Sequence, residues 1–247
     1  MASPTVVSVT HAPPLPADSS PEWFEPYRDD HGVLMLRPET EPVPESDAHV
    51  RLVDLLHAGF AWRHRDDEDV TVHCRLAWFP DEADTTRRLD PDVMVVHGRP
   101  KQQRTSYRAW AEAHVVPSLI IEVASSNDTE SRYRQRLDQM FDDGVAEVVL
   151  VQPYAPGGVQ VIGYVADPTV PAGYRVRGFS AGVDATVEVD DGVVLCGGAD
   201  LQVHDEHGSW LDVPGIREAA ARAEAESARA DRLAAALTAA GIDPDAV

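Results

Sequence analysis

The 247-residue chain is 43% hydrophobic and carries 42 acidic against 21 basic side chains, a formal net charge of −21. That apolar content supports the core of one large domain with appendages, while the acidity opposes unaided binding to a phosphate backbone. Two cysteines make neither a disulfide framework nor a zinc signature, no basic flank followed by an apolar run opens the chain, and no stretch approaches membrane-spanning length. A reducing, cytoplasmic setting without membrane association is the expectation.

In chain order, residues 1–22 are rich in proline and serine and predict a disordered leader. A globular domain is expected over 23–211. Gly32 to Leu36 predicts a first short strand. Ala48, Leu52, Leu55, Leu56 and Phe60 fall on one helical face, with Ser46 or Asp47 as cap and Gly59 as the stop. Val70 to Trp78 alternates apolar and polar residues as a half-buried strand does, and residues 89–96 read as a buried strand that carries Asp92 directly after Pro91. The loop that follows holds Lys101, Arg104 and Arg108, a locally basic stretch in an acidic chain.

Residues 117–153 predict a strand, a helix and a second strand in immediate succession. Ser118 to Val123 is apolar and β-branched apart from Glu122; Tyr133, Leu137, Met140 and Phe141 keep helical spacing after a cap at Asn127 or Asp128; Gly144 closes that helix; Val148 to Val151 is again apolar. The two strands are expected to be parallel neighbours in a covered sheet. Short strands at 159–165, 174–179, 186–189 and 193–196 then predict an antiparallel extension, with a tight turn at Asp190, Asp191 and Gly192. From 212 to 247 the composition turns to Ala, Glu and Arg. A long helix over 214–240 is expected, whose mostly alanine seam of Ile216, Ala223, Ala230, Leu233 and Leu237 supports a coiled coil or packs on its own domain; it buries too little apolar area for a stable isolated coiled coil and is expected to reinforce a homodimer made by the globular domain.

Asp92 and Glu122 each interrupt an apolar strand, and burying charge without a partner is costly. Two carboxylates on neighbouring strands make a hard-cation site for Mg²⁺ or Mn²⁺, which can activate water for attack on phosphorus. The bland alternative is that both are solvated or ion-paired at strand ends, for example Glu122 with Arg132 or Arg136. His49, His57 and His73 show no metal-ligand spacing and read as packed or exposed residues, His204 and His207 read as surface, and Ser125 with Ser126 reads as a helix cap.

Taken in order, Pro91-Asp92 with Val93 to Val96, Pro117 to Ser125, and Gly144 to Pro153 resemble the Uma-type restriction-endonuclease family of the PD-(D/E)xK superfamily. The resemblance covers most of 23–211 and implies an α/β (α+β) restriction-endonuclease-like core: a mixed central sheet flanked by helices, with the antiparallel extension and the C-terminal helix added. It also implies that Asp92 and Glu122 bind the metal, with the Val123 carbonyl as third ligand. The superfamily's classical strand lysine is missing, its place taken by Ala124, which fits this family, where a lysine on the following helix stands in; Arg136 lies where that lysine is expected. The implied activity is Mg²⁺-dependent (or Mn²⁺-dependent) hydrolysis of nucleic acid, DNA first, with Asp92, Glu122 and Arg136 as the catalytic set. The alternative is an inactive member that serves as a dimeric interaction or regulatory module.

Overall fold

The computed structural model describes residues 24–28, 34–38, 47–125, 130–155, 157–181, 185–189, 192–213 and 216. Two short strands come first, β1 (Phe24–Arg28) and β2 (Leu34–Pro38), paired antiparallel, followed by helix α1 (Asp47–Arg63). Next are β3 (Val70–Cys74), β4 (Trp78–Phe79), β5 (Val93–His97), β6 (Tyr107–Arg108) and a 3₁₀ turn at Ala109–Glu112. The middle of the chain is β7 (Leu119–Val123), α2 (Glu130–Asp142) and β8 (Glu147–Gln152). β9 (Gln160–Ala166) and β10 (Tyr174–Ser180) follow, then β11 (Val187–Glu188), β12 (Val194–Cys196), β13 (Gln202–Asp205) and β14 (Gly208–Ser209), and a 3₁₀ turn at Trp210–Asp212.

The central sheet runs β10-β9-β8-β7-β5-β3, mixed in direction: β7 and β8 are parallel, as expected of strands joined through a helix, and the other neighbours are antiparallel. Its two faces separate by the period-2 alternation of strand side chains. Val93, Val95, Ile121, Val123, Val149 and Val151 turn to Leu52, Val53, Leu56 and Phe60 of α1. Met94, Val96, Ile120 and Val148 turn to Leu137 and Met140 of α2 and to Trp78 and Tyr107. With both faces covered, the strands read as continuous apolar runs, and each fully buried aliphatic side chain contributes about 1.5–3 kcal/mol.

Several expectations are corrected. Gly59 does not stop α1, which continues to Arg63; the glycine is there because the Trp210 ring lies against it. The strand expected over 70–78 breaks at Arg75, which has φ 49, and Trp78–Phe79 pairs instead with Tyr107–Arg108. β9 and β10 lengthen the central sheet itself, whereas β11 to β14 form a separate antiparallel sheet. Gly144, at φ 92, does take the left-handed conformation that ends α2. The leader at 1–22, the cap at Asn127 or Asp128 and the helix over 214–240 lie outside the described residues, except that Ile216 is helical and buried in the α1-side core.

Candidate active site

Strand pairing sets the backbones of the two candidate residues side by side, while their side chains are held by different helices. In the β5–β7 register Val93 faces Ile121, so the next position along sets Asp92 against Glu122. Both are nearly closed to solvent, Asp92 at 9% and Glu122 at 4% exposure. Asp92 is held from two sides: the backbone N–H of Val123 donates to Oδ2 at 2.8 Å, and His49 Nε2 lies 3.2 Å from Oδ1. The chain leading into Asp92 is fixed as well. The N–H of Arg75, a residue in the left-handed region, is shared between the carbonyls of Pro91 and Asp92 at 3.1 Å each. A non-glycine residue there is strained by about 1–3 kcal/mol, a cost found preferentially beside functional sites.

Glu122 belongs to the other helix. Arg136 of α2 sets Nη2 at 2.6 Å from Glu122 Oε2, with the carboxylate 5% and the guanidinium side chain 35% exposed. Around this pair, Tyr133, Leu137, Met140, Val148 and Leu150 enclose a cavity of only about 10 Å³. That is room for about one water. Arg132, one turn before Arg136 on the same face of α2, is exposed.

His49 is the site residue that spacing did not reveal. It sits near the start of α1 and is 5% exposed, and its contact with Asp92 joins residues 43 apart in sequence. Ala124, two residues after Glu122, is buried against Tyr133 and Leu150. Among the described residues no group of three or more His, Cys, Asp or Glu side chains gathers to hold a metal, so a cation here would take two carboxylates and main-chain or solvent oxygens. Mg²⁺ accepts that donor set.

The model of the Uma2 family, described as "Putative restriction endonuclease", matches residues 32–188, well over half of the chain and the whole of this site. The chain belongs to the Uma2 family. A crystal structure described as that of "a putative nuclease belonging to DUF820" from Anabaena variabilis aligns with a TM-score of 0.44 at 14% identity, covering 64% of this chain and 78% of that one. No curated protein matches. Membership agrees with the α/β core and mixed sheet described above and marks the Uma2 chain as nuclease-like. Among the described residues no helix is long and apolar enough to cross a membrane.

The basic stretch after β5 is not a free cationic surface in this Uma2 chain. Arg104 Nε and Arg99 Nε donate to Glu112 at 2.7 and 2.8 Å, and Lys101 Nζ donates to the carbonyls of His64 and Arg65 at 2.6 and 2.8 Å. A groove of about 470 Å³ opens beside it, lined by His64, Arg65, Thr71, His73, Lys101 and Gln102. Asp66, Asp67, Glu68 and Asp69 follow Arg65 directly and offset its charge. His57 is shifted to lower pKa by burial, and His73 is pushed down to about 4 by burial and then by Arg104 and His57. Neutral imidazoles at pH 7 add nothing to an anion site.

Proposed function

We propose that this Uma2 protein is a divalent-cation-dependent nuclease that hydrolyses phosphodiester bonds, DNA first. Asp92 and Glu122 are the cation's carboxylates, the Val123 carbonyl is a third protein oxygen, and Arg136 is the positive group for the phosphate. The observation that supports the reading is a buried carboxylate on each of two paired, otherwise apolar strands, at positions whose backbones the β5–β7 register sets side by side, in the family-matched region. Hard oxygen donors suit Mg²⁺ or Mn²⁺. Such a cation, when bound, neutralises charge on the phosphate and activates water.

The chain's own residues have separable roles in this reading. The Val123 N–H and His49 orient Asp92. Arg136 offers two parallel N–H donors to phosphate oxygens, but a guanidinium, which stays protonated, does not serve as a general base. Residues 23–211 are the nuclease unit, working in the cytoplasm, and 212–247 reinforce a homodimer. The net charge of −21 repels polyphosphate, so cleavage is expected to be slow and sensitive to divalent cation.

A second reading, a non-catalytic dimeric module, is favoured by the Glu122–Arg136 ion pair, which fills the place of a cation. Nicking of plasmid and single-stranded DNA with Mg²⁺ or Mn²⁺ separates the two. Cation-dependent nicking by the wild type that Glu122→Ala lacks is the expected result; a wild type that nicks neither substrate with either cation belongs to the second reading.

A further inference from the structure

Resting on the reading of Glu122 as a cation ligand, we infer that Arg136 is a latch on the site, and that divalent cation and phosphodiester bind cooperatively because each favours the state in which Arg136 has left Glu122. Three observations carry this. First, Arg136 Nη2 stands 2.6 Å from Glu122 Oε2. A Mg²⁺ ion coordinated by that oxygen at its usual distance of about 2.1 Å would stand within about 4 Å of the guanidinium nitrogen, and the two positive charges would repel. Second, the cavity beside the pair is about 10 Å³. A cation that keeps several of its waters does not enter it until a side chain withdraws.

Third, the two partners differ in freedom. Glu122 lies within β7 and its side chain is 5% exposed, whereas Arg136 reaches in from α2 on a long stem and is 35% exposed. The side chain at the water boundary is the one that moves. When it does, Arg136 presents its guanidinium fork to an incoming phosphate. A phosphodiester thereby takes over the charge of Arg136 and uncovers Glu122 for the cation, and linkage makes the assistance reciprocal. Without nucleic acid the latch keeps the buried carboxylate neutralised and the site closed.

The test is calorimetric titration of the full chain with Mn²⁺, alone and with a short single-stranded phosphorothioate oligonucleotide that resists hydrolysis. Arg136→Gln is expected to bind Mn²⁺ about tenfold or more tightly than the wild type when no oligonucleotide is present, a coupling of ordinary size. Arg136→Lys, which keeps the charge but not the fork, falls between them and guards against a misfolded glutamine variant. The oligonucleotide is expected to tighten Mn²⁺ binding by the wild type more than by Arg136→Gln. Equal or weaker Mn²⁺ binding by Arg136→Gln, while Glu122→Gln abolishes binding, overturns the latch and leaves the site reading intact. Mn²⁺ binding that is absent throughout, or unchanged in Glu122→Gln, overturns the site reading and the latch with it.

Discussion

Gly59 in α1 lies directly against the indole of Trp210: a methyl on its Cα would stand 1.9 Å from Cε3 and 2.1 Å from Cζ3. Trp210 is fully buried, edge-on to Phe60 at 5.0 Å between centroids, and donates its N–H to Asp205 at 2.9 Å, so it has no route of retreat. Gly59→Ala is therefore expected to destabilise by about 1–3 kcal/mol through overpacking, although alanine is the better helix former by about 1 kcal/mol. In a Trp210→Ala background, itself costing about 3–5 kcal/mol, the same change should become stabilising. Urea unfolding of the four proteins measures this; simple additivity of the two costs would refute the contact as the cause.

His73, on the edge strand β3, is held down to about pH 4 by burial first, then by Arg104 and His57, with Glu112 opposing. Between pH 6.5 and about 4 the unfolded chain thus binds more protons than the folded one, and stability rises with pH across that window. The contribution is fully present above pH 6.5 and is lost as the pH falls toward 4. Melting temperatures measured from pH 7 to 4.5 should fall, and His73→Gln should flatten part of the decline. An unchanged slope in the variant would assign the effect to other groups.

What was legible in the chain was what is local. The β7-α2-β8 unit was readable because two apolar runs flank a helix with regular spacing and Gly144 closes it at φ 92. Asp92 and Glu122 stood out because charge on an apolar strand is costly, and the sheet register sets them opposite each other. The misses depend on distant contacts. Gly59 looked like a helix stop because nothing nearby announces Trp210, and His49 looked unremarkable because its partner Asp92 lies on another element. The Arg99 to Arg108 stretch looked like a basic patch because Glu112, which takes two of its guanidiniums, follows on a 3₁₀ turn.

That Glu112 site carries its own expectation. Its carboxylate is 9% exposed and receives Arg104, 4% exposed, and Arg99; hydrogen bonds from Arg104 first, then from Arg99, hold its pKa below the usual range against the opposing effect of burial. A carboxylate depressed in the folded state adds stability above its unfolded pKa of about 4.5 that is lost as the pH falls through the folded value. Glu112→Ala leaves Arg104 buried without its counter-charge and should cost about 3–5 kcal/mol, whereas Glu112→Leu with Arg104→Met should cost much less. Denaturant midpoints decide, and a double variant as unstable as the sum of the singles would show that packing, not charge, sets the cost.

Glu122 should behave in the opposite way. It is a buried carboxylate bordered by Tyr133, Leu137, Met140, Val148 and Leu150, and its ion-pair partner Arg136 is exposed enough to turn to water when left alone. Removing one partner of a buried ion pair costs about 3–5 kcal/mol when the other stays buried; Arg136 reaches water, so Glu122→Leu is expected to cost clearly less than that while losing Mn²⁺ binding and nicking. Asp92→Ala should differ. It strips the acceptor from the buried Val123 N–H and should cost about 1–3 kcal/mol, with the same loss of binding. If Glu122→Leu instead costs the roughly 3–5 kcal/mol of a broken buried pair, the Glu122–Arg136 contact is structural, and nicking alone decides between the catalytic and non-catalytic readings.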